Sequence, residues 1–157
     1  MSAAQGAAAL AALYSITSTV AAAAVPPTSI ATDSTVAAYY GAAPPQQFNP
    51  QFLIAATGVE GVKQTPRYIG SGRVEEFELN GVVWGSIADG ATDNLEALST
   101  FLLSLVDSIS AAIDTDPSMG GVALMSWLSG YDLAFDVAKT GRTVQVDFQV
   151  HVEAQVS

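Results

Sequence analysis

The side chains able to do chemistry are few. The chain has one histidine, His151, and no cysteine. A Ser-His-Asp triad, a Cys-His pair, a thiolate metal centre and a poly-histidine metal site therefore lack raw material. His151 falls in the polar phase of an alternating run, where a solvated strand residue is the simplest reading. Glu75, Glu76 and Glu78 put carboxylates close together; such a cluster could hold a cation or do acid/base work, and more commonly forms a wet strand face. Asp114 and Asp116 begin like a calcium loop, but Met119 stands where the tight turn needs glycine and no bidentate glutamate closes it. Gly70-Ser71-Gly72 is not a dinucleotide fingerprint, because Glu75 occupies the third glycine position, and no phosphate loop with its lysine follows. Trp84 and Trp127 read as core or interface anchors. No catalytic residue, no cofactor and no metal ligand set is expected, which shifts weight toward a structural role.

Composition sets the frame for these residues. A chain of 157 residues, 50% hydrophobic, can bury a real core as one domain. Fifteen acidic against five basic residues give a net charge of −10, which argues against sequence-independent affinity for DNA, RNA or anionic lipid. The absence of cysteine offers no sign of an oxidising compartment. The first 60 residues are nearly uncharged, carrying only Asp33 and Glu60, while Lys63, Arg67, Arg73, Lys139 and Arg142 all come later.

Alanine supplies 11 of the first 24 residues, a strong helix propensity with little burial per residue. Leu10, Leu13, Ile16 and Val20 make one narrow apolar stripe. A secretory leader would want a positive n-region, and a membrane span would want bulkier side chains than Tyr14, Ser15, Thr17, Ser18 and Thr19, so a packed helix is the expectation. Val25-Pro26-Pro27 ends it. Residues 26–50, with Pro44, Pro45 and Pro50, read as an irregular, partly mobile link, with a short helical or extended piece around Thr35 to Tyr40.

Gln51 to Thr57 reads as a short buried strand around the continuous apolar run Phe52 to Ala56, followed by a turn region from Gly58 to Pro66. A second strand candidate begins at Tyr68. From Arg73 to Ile87 two readings compete: Asn80-Gly81 is a two-residue hairpin signal, whereas a single strand would need Gly81 at a bulge or a close backbone approach. Asp93 and Glu96 form a capping-box pair at the head of the best helix, whose face is Leu95, Leu98, Leu102, Leu105, Ile109 and Ile113. Phe101, Leu103 and Val106 widen its apolar sector enough for a second flank to meet a neighbouring subunit.

The clearest signal closes the chain. Val144, Val146, Phe148, Val150 and Val152 alternate with Gln145, Asp147, Gln149, His151 and Glu153, and upstream Tyr131, Leu133, Phe135 and Val137 alternate with Asp132, Ala134 and Asp136. With Lys139-Thr140-Gly141-Arg142 as the turn, this predicts a long antiparallel hairpin. The expected fold is α+β: a mixed, mostly antiparallel sheet carrying a main helix and an N-terminal helix, with residues 1–50 and 51–157 in one domain.

Arg73-Val74-Glu75-Glu76-Phe77-Glu78-Leu79 running on to Val82-Val83-Trp84, the helix from Asn94 to Ile113, the Asp116-Pro117-Ser118-Met119-Gly120-Gly121 junction and the closing alternation from Val144 to Val152 together resemble the tail terminator (neck) proteins of long-tailed, siphovirus-type bacteriophages. The likeness covers residues 50–156 in short, degenerate motifs; the alanine- and proline-rich first 50 residues depart from it. It implies a structural virion protein, made in the host cytoplasm. Such a chain is a homo-oligomer, as a hexameric ring, that ends tail-tube polymerisation and contacts the tube protein and a head-tail connector or stopper. DNA passes through without specific binding, and no membrane or enzyme activity is implied. It also implies that Arg73 to Ile87 is one long strand. The candidate interface or lumen residues are Arg73, Glu75, Glu76, Glu78, Trp84, Phe101, Asp132, Asp136, Lys139 and Arg142. The alternatives are another neck or tail subunit, in head completion or the tube, and a small-molecule or cation-binding domain using the Glu75/Glu76/Glu78 face.

Overall fold

The computed structural model describes residues 2–31, 35–41, 51–66, 73–88, 92–138 and 141–156. The elements run α1 (Ser2–Ala23), β1 (Ala37–Tyr40), β2 (Phe52–Pro66), β3 (Arg73–Ala88), α2 (Thr92–Thr115), β4 (Met125–Ala138) and β5 (Gly141–Val156). The strands form one five-stranded sheet in the order β1-β2-β3-β5-β4. Only β1 is parallel to its neighbour; the other pairings are antiparallel. This is the expected α+β architecture.

β3 is one unbroken strand through Asn80-Gly81, which settles the hairpin conflict. Gly81 lies opposite Phe148 on β5, and a Cβ on Gly81 would meet the ring tip of Phe148 at 2.2 Å. The glycine is there to admit a fully buried aromatic, not to turn the chain. Gly85 does the same for α2: a Cβ there would lie 2.8 Å from Leu98.

The turn expected from Gly58 to Pro66 is corrected. β2 continues through it, with register shifts between Ala56 and Gly58 and between Glu60 and Lys63, the second containing Gly61 at φ +66°. Glycine and proline punctuation marks bulges here, because β3 supplies a partner along the whole length. The Tyr68 strand candidate and Gly70-Ser71-Gly72 lie outside the described residues, as do Pro44, Pro45, Pro50 and the Asp93 side chain of the capping pair. The hairpin is confirmed and tighter than expected: pairing runs to Ala138 opposite Gly141, leaving residues 139–140, also outside the described residues, as its connection.

Both helices lie on one side of the sheet. Val144, Val146, Phe148, Val150, Val152 and Ala154 of β5 and Phe77, Leu79 and Val83 of β3 are buried there beneath Leu98, Leu102, Leu105, Ile109 and Ile113 of α2. α1 covers the β1–β2 end with Ala9, Leu10 and Leu13, and Tyr14 meets Tyr40 edge-on at 5.8 Å between centroids. Gln5–Ala23 and Asn94–Thr115 are each long and apolar enough to cross a membrane, yet each packs against this sheet through its apolar stripe. The described part of the link is tied down: Ile30 and Val36 are buried, and Gln51 Nε2 donates to the Ile30 carbonyl at 2.6 Å and the Ser86 carbonyl at 3.1 Å.

The G81A variant should lose about 2 kcal/mol or more, from overpacking against Phe148. In urea unfolding, F148L in the G81A background should recover part of that loss. A G81A protein as stable as the parent would show that the close approach does not constrain β3.

Candidate functional site

The face of the sheet turned away from the helices is built by strand alternation, which sends every second residue to it. Cross-strand register sets Glu76 opposite Glu153, Glu78 opposite His151 and Glu60 opposite Glu78. Further along, Asp132 stands opposite Asp147 and Asp136 opposite Thr143. Trp84, opposite Gln145, shares this face. Like charges directly opposite on neighbouring strands repel, so the face is a concentrated acidic surface, which also carries His151 and has Lys63 across from Glu76.

Of the residues singled out in the sequence, Glu76, Glu78, Trp84, Asp132 and Asp136 come together on this face. Arg73 is exposed at the start of β3 and donates from Nη1 to Gln64 Oε1 at 3.2 Å. Glu75 parts from its neighbours: alternation turns it to the helix side, where it is fully buried. Its Oε2 accepts from Gln64 Nε2 at 3.1 Å, while Oε1 has no protein partner. Phe101, expected at a subunit surface, packs instead inside its own chain, edge-on to Phe52 at 5.3 Å between centroids. Arg142 is half-buried near the hairpin end, and Lys139 lies outside the described residues.

His151 is more than a solvated strand residue. Its Nδ1 is 2.8 Å from Glu78 Oε1, its ring lies tilted by 34° against Trp127 at 4.5 Å between centroids, and Ser129 Oγ donates to Glu78 Oε2 at 2.9 Å. Sequence reading missed this cluster because the β3–β5 register joins Glu78 to His151, while a bulge at Ser129, between Leu128 and Gly130, reverses the phase of β4 and brings Trp127 and Ser129 to them. Before the bulge Leu128 packs on the core and Trp127 faces the acids; after it the odd residues turn to the helix side.

There, Tyr131, Leu133 and Phe135 lie opposite Phe148, Val146 and Val144. Their partners are buried, but they themselves are 54%, 37% and 55% exposed, because they sit on the edge strand beyond the cover of α2. Among the described residues no strand pairs with the outer side of β4, which there presents its backbone beside an apolar row. A shallow groove beside Pro27 on α2 is lined by Ala97, Thr100, Phe101 and Ser104, with Glu96 its one titratable side chain among the described residues, a poor setting for acid/base chemistry.

The junction from α2 to β4 uses the residues that begin like a calcium loop. Asp116 Oδ1 accepts from Ser118 Oγ at 2.6 Å and Oδ2 from the Gly120 N–H at 2.9 Å. The carboxylate thus holds the turn together from within. The left-handed residues Met119, Gly120 and Gly121 reverse the chain, with the Met119 side chain buried.

No protein-family model matches the chain, and no curated protein matches it. Among solved structures it is similar to a chain of the virion of a native gene transfer agent particle, at 13% identity and a TM-score of 0.38, over 94% of each chain. A likeness so distant assigns no role.

The Ser118 hydroxyl, and after it the Gly120 N–H, hold the Asp116 carboxyl below its ordinary value of 3.8. A carboxyl depressed in the folded state stabilises above its unfolded pKa, and that stability disappears as pH falls through the lower folded value. D116N should therefore be less stable than the parent near about pH 6, and the difference should shrink near about pH 2.5. Urea midpoints at the two pH values check this; an equal gap at both would remove the carboxylate's charge from the explanation.

Proposed function

We propose that this chain is a structural virion protein that closes into a ring at the end of a phage tail tube, stops tube growth and joins tail to head, with no bond made or broken. The observation that carries the reading is the edge strand β4, whose distal half bears Tyr131, Leu133 and Phe135 exposed on the helix side. An unpaired strand with an apolar row is costly in an isolated subunit and is satisfied by a like copy adding its own edge. The two ends of the sheet differ, β1 and the uncovered part of β2 at one side and β4 at the other, so copies meet head to tail, the geometry that closes rings when the rotation allows. The resemblance of the β3, α2, junction and β5 segments to tail terminators supports a place at the end of the tail in this reading.

The second support is the acidic face. Turned toward a central channel, it would repel DNA phosphate and let the genome slide without adhering. The partners in this reading are further copies of the chain, the tube protein and a connector or stopper.

Sedimentation and native mass measurement should give a closed oligomer for the parent. L133K/F135K should keep the protomer fold, since both side chains are exposed, and weaken each subunit contact by about 30-fold or more, the loss of roughly one hot spot. A parent that stays monomeric at high concentration, or a double variant that assembles normally, would overturn the reading. A label fused to the chain should appear at the head-proximal end of the tail in particle images. Neutralising Asp132, Asp136 and Asp147 should slow genome ejection while leaving assembly intact.

A further inference from the structure

We propose that Glu76, His151 and Glu153 form a binding site for a divalent metal ion of the zinc class, contained within one chain and independent of whether the chain closes a ring. Glu76 and Glu153 face each other across β3 and β5. One ligand atom from each of Glu76, His151 and Glu153 lies within 4.8 Å of the others. Three donors bound to one zinc lie roughly 3.3 Å apart, from metal–ligand distances of about 2.0–2.2 Å, so closing on an ion needs side-chain rotation and no movement of the strands.

The histidine is already oriented for it. The Glu78 carboxylate at 2.8 Å from Nδ1 favours the proton on that nitrogen, which leaves the Nε2 lone pair to point at Glu153 Oε1, 3.6 Å away. A carboxylate on the far nitrogen of an imidazole is the arrangement that fixes a metal-ligating histidine and raises its basicity. Glu78 is itself held by Ser129 Oγ, and Trp127 packs against the ring at a tilt. This chain of contacts runs from the β4 bulge through Glu78 to the imidazole.

Charge gives an independent reason for a cation at this spot. Glu76 and Glu153 stand directly opposite each other on β3 and β5, a locally repulsive pair of carboxylates. Lys63 is in register with Glu76 but has no ion pair with it within 4.0 Å. A +2 ion bound to Nε2 and both carboxylates would offset that repulsion. Imidazole among the donors selects zinc-class ions over magnesium or calcium, which prefer an all-oxygen shell.

The test titrates zinc chloride, and separately magnesium chloride, into the full chain in chelator-free buffer, by calorimetry and by thermal unfolding. One zinc per chain is expected, at least 10-fold tighter than magnesium, with a zinc-dependent rise in Tm. H151A and E76Q/E153Q should each weaken zinc binding by 10-fold or more and abolish the Tm rise. Glu78 is a positioning residue, so E78A should weaken zinc binding by about 10–100-fold, whereas E78Q, whose amide oxygen still accepts from Nδ1–H, should keep most of it. The side chains are partly exposed, and E153Q alone serves if H151A does not fold. Zinc binding that is equal in the parent and H151A would show an adventitious ion on an acidic surface. Absence of binding up to about 1 mM zinc would show that the three side chains hold one another and take no ion. Either result overturns the site.

Discussion

Phe148 reaches across to the backbone of Gly81, and the packing of the molecule follows from that approach. With no side chain at Gly81, the ring can lie over β3 and still be fully buried, its tip where a Cβ would be. β3 can then run straight past a sequence that by local rules would turn. A hairpin at Asn80-Gly81 would have split the strand into two short pieces and left β5 without a partner of its own length. Instead the two strands pair from Arg73–Val156 to Ala88–Gly141, and the long C-terminal alternation is matched residue for residue.

A sheet of such long strands has two faces with different fates. The helix side is closed over β2, β3 and β5, with Gly85 letting α2 approach as Gly81 lets Phe148 approach. The opposite side carries no helix among the described residues, and its carboxylates keep contact with water, which lowers the desolvation cost of their charge. The helices are too narrow to roof all five strands. The distal half of β4 extends past them, and its apolar row remains in solvent although its cross-strand partners are wholly buried.

The bulge at Ser129 links the two surfaces on which the functional proposals rest. One extra residue in β4 turns Trp127 toward His151 on the acidic side and Tyr131 toward the helix side. Without it, one phase would run the length of the strand, and either the tryptophan would leave the acids or the aromatic row would join them. The bulge residue also supplies the hydroxyl that holds Glu78. Assembly through the β4 edge and cation binding at His151 therefore depend on one local irregularity, though neither requires the other.

The sequence by itself determined α2 and the C-terminal hairpin from their hydrophobic period, and α1 from its alanine propensity and the proline stop after it, because period, propensity and turn residues act within a few residues of one another. It also established that histidine and cysteine chemistry was scarce and that the chain was acidic. Tertiary structure decided what depends on a partner strand. The run from Gly58 to Pro66 became bulged strand because β3 lies alongside, and Asn80-Gly81 stayed extended because Phe148 needed the space. Glu75 separated from Glu76 and Glu78 because alternation assigns neighbours to opposite faces. Phe101 went inward because Phe52 awaited it, and His151 met Glu78 because register joined residues far apart in the chain. Local rules weigh each residue against its sequence neighbours, while burial and register weigh it against residues that only folding brings near.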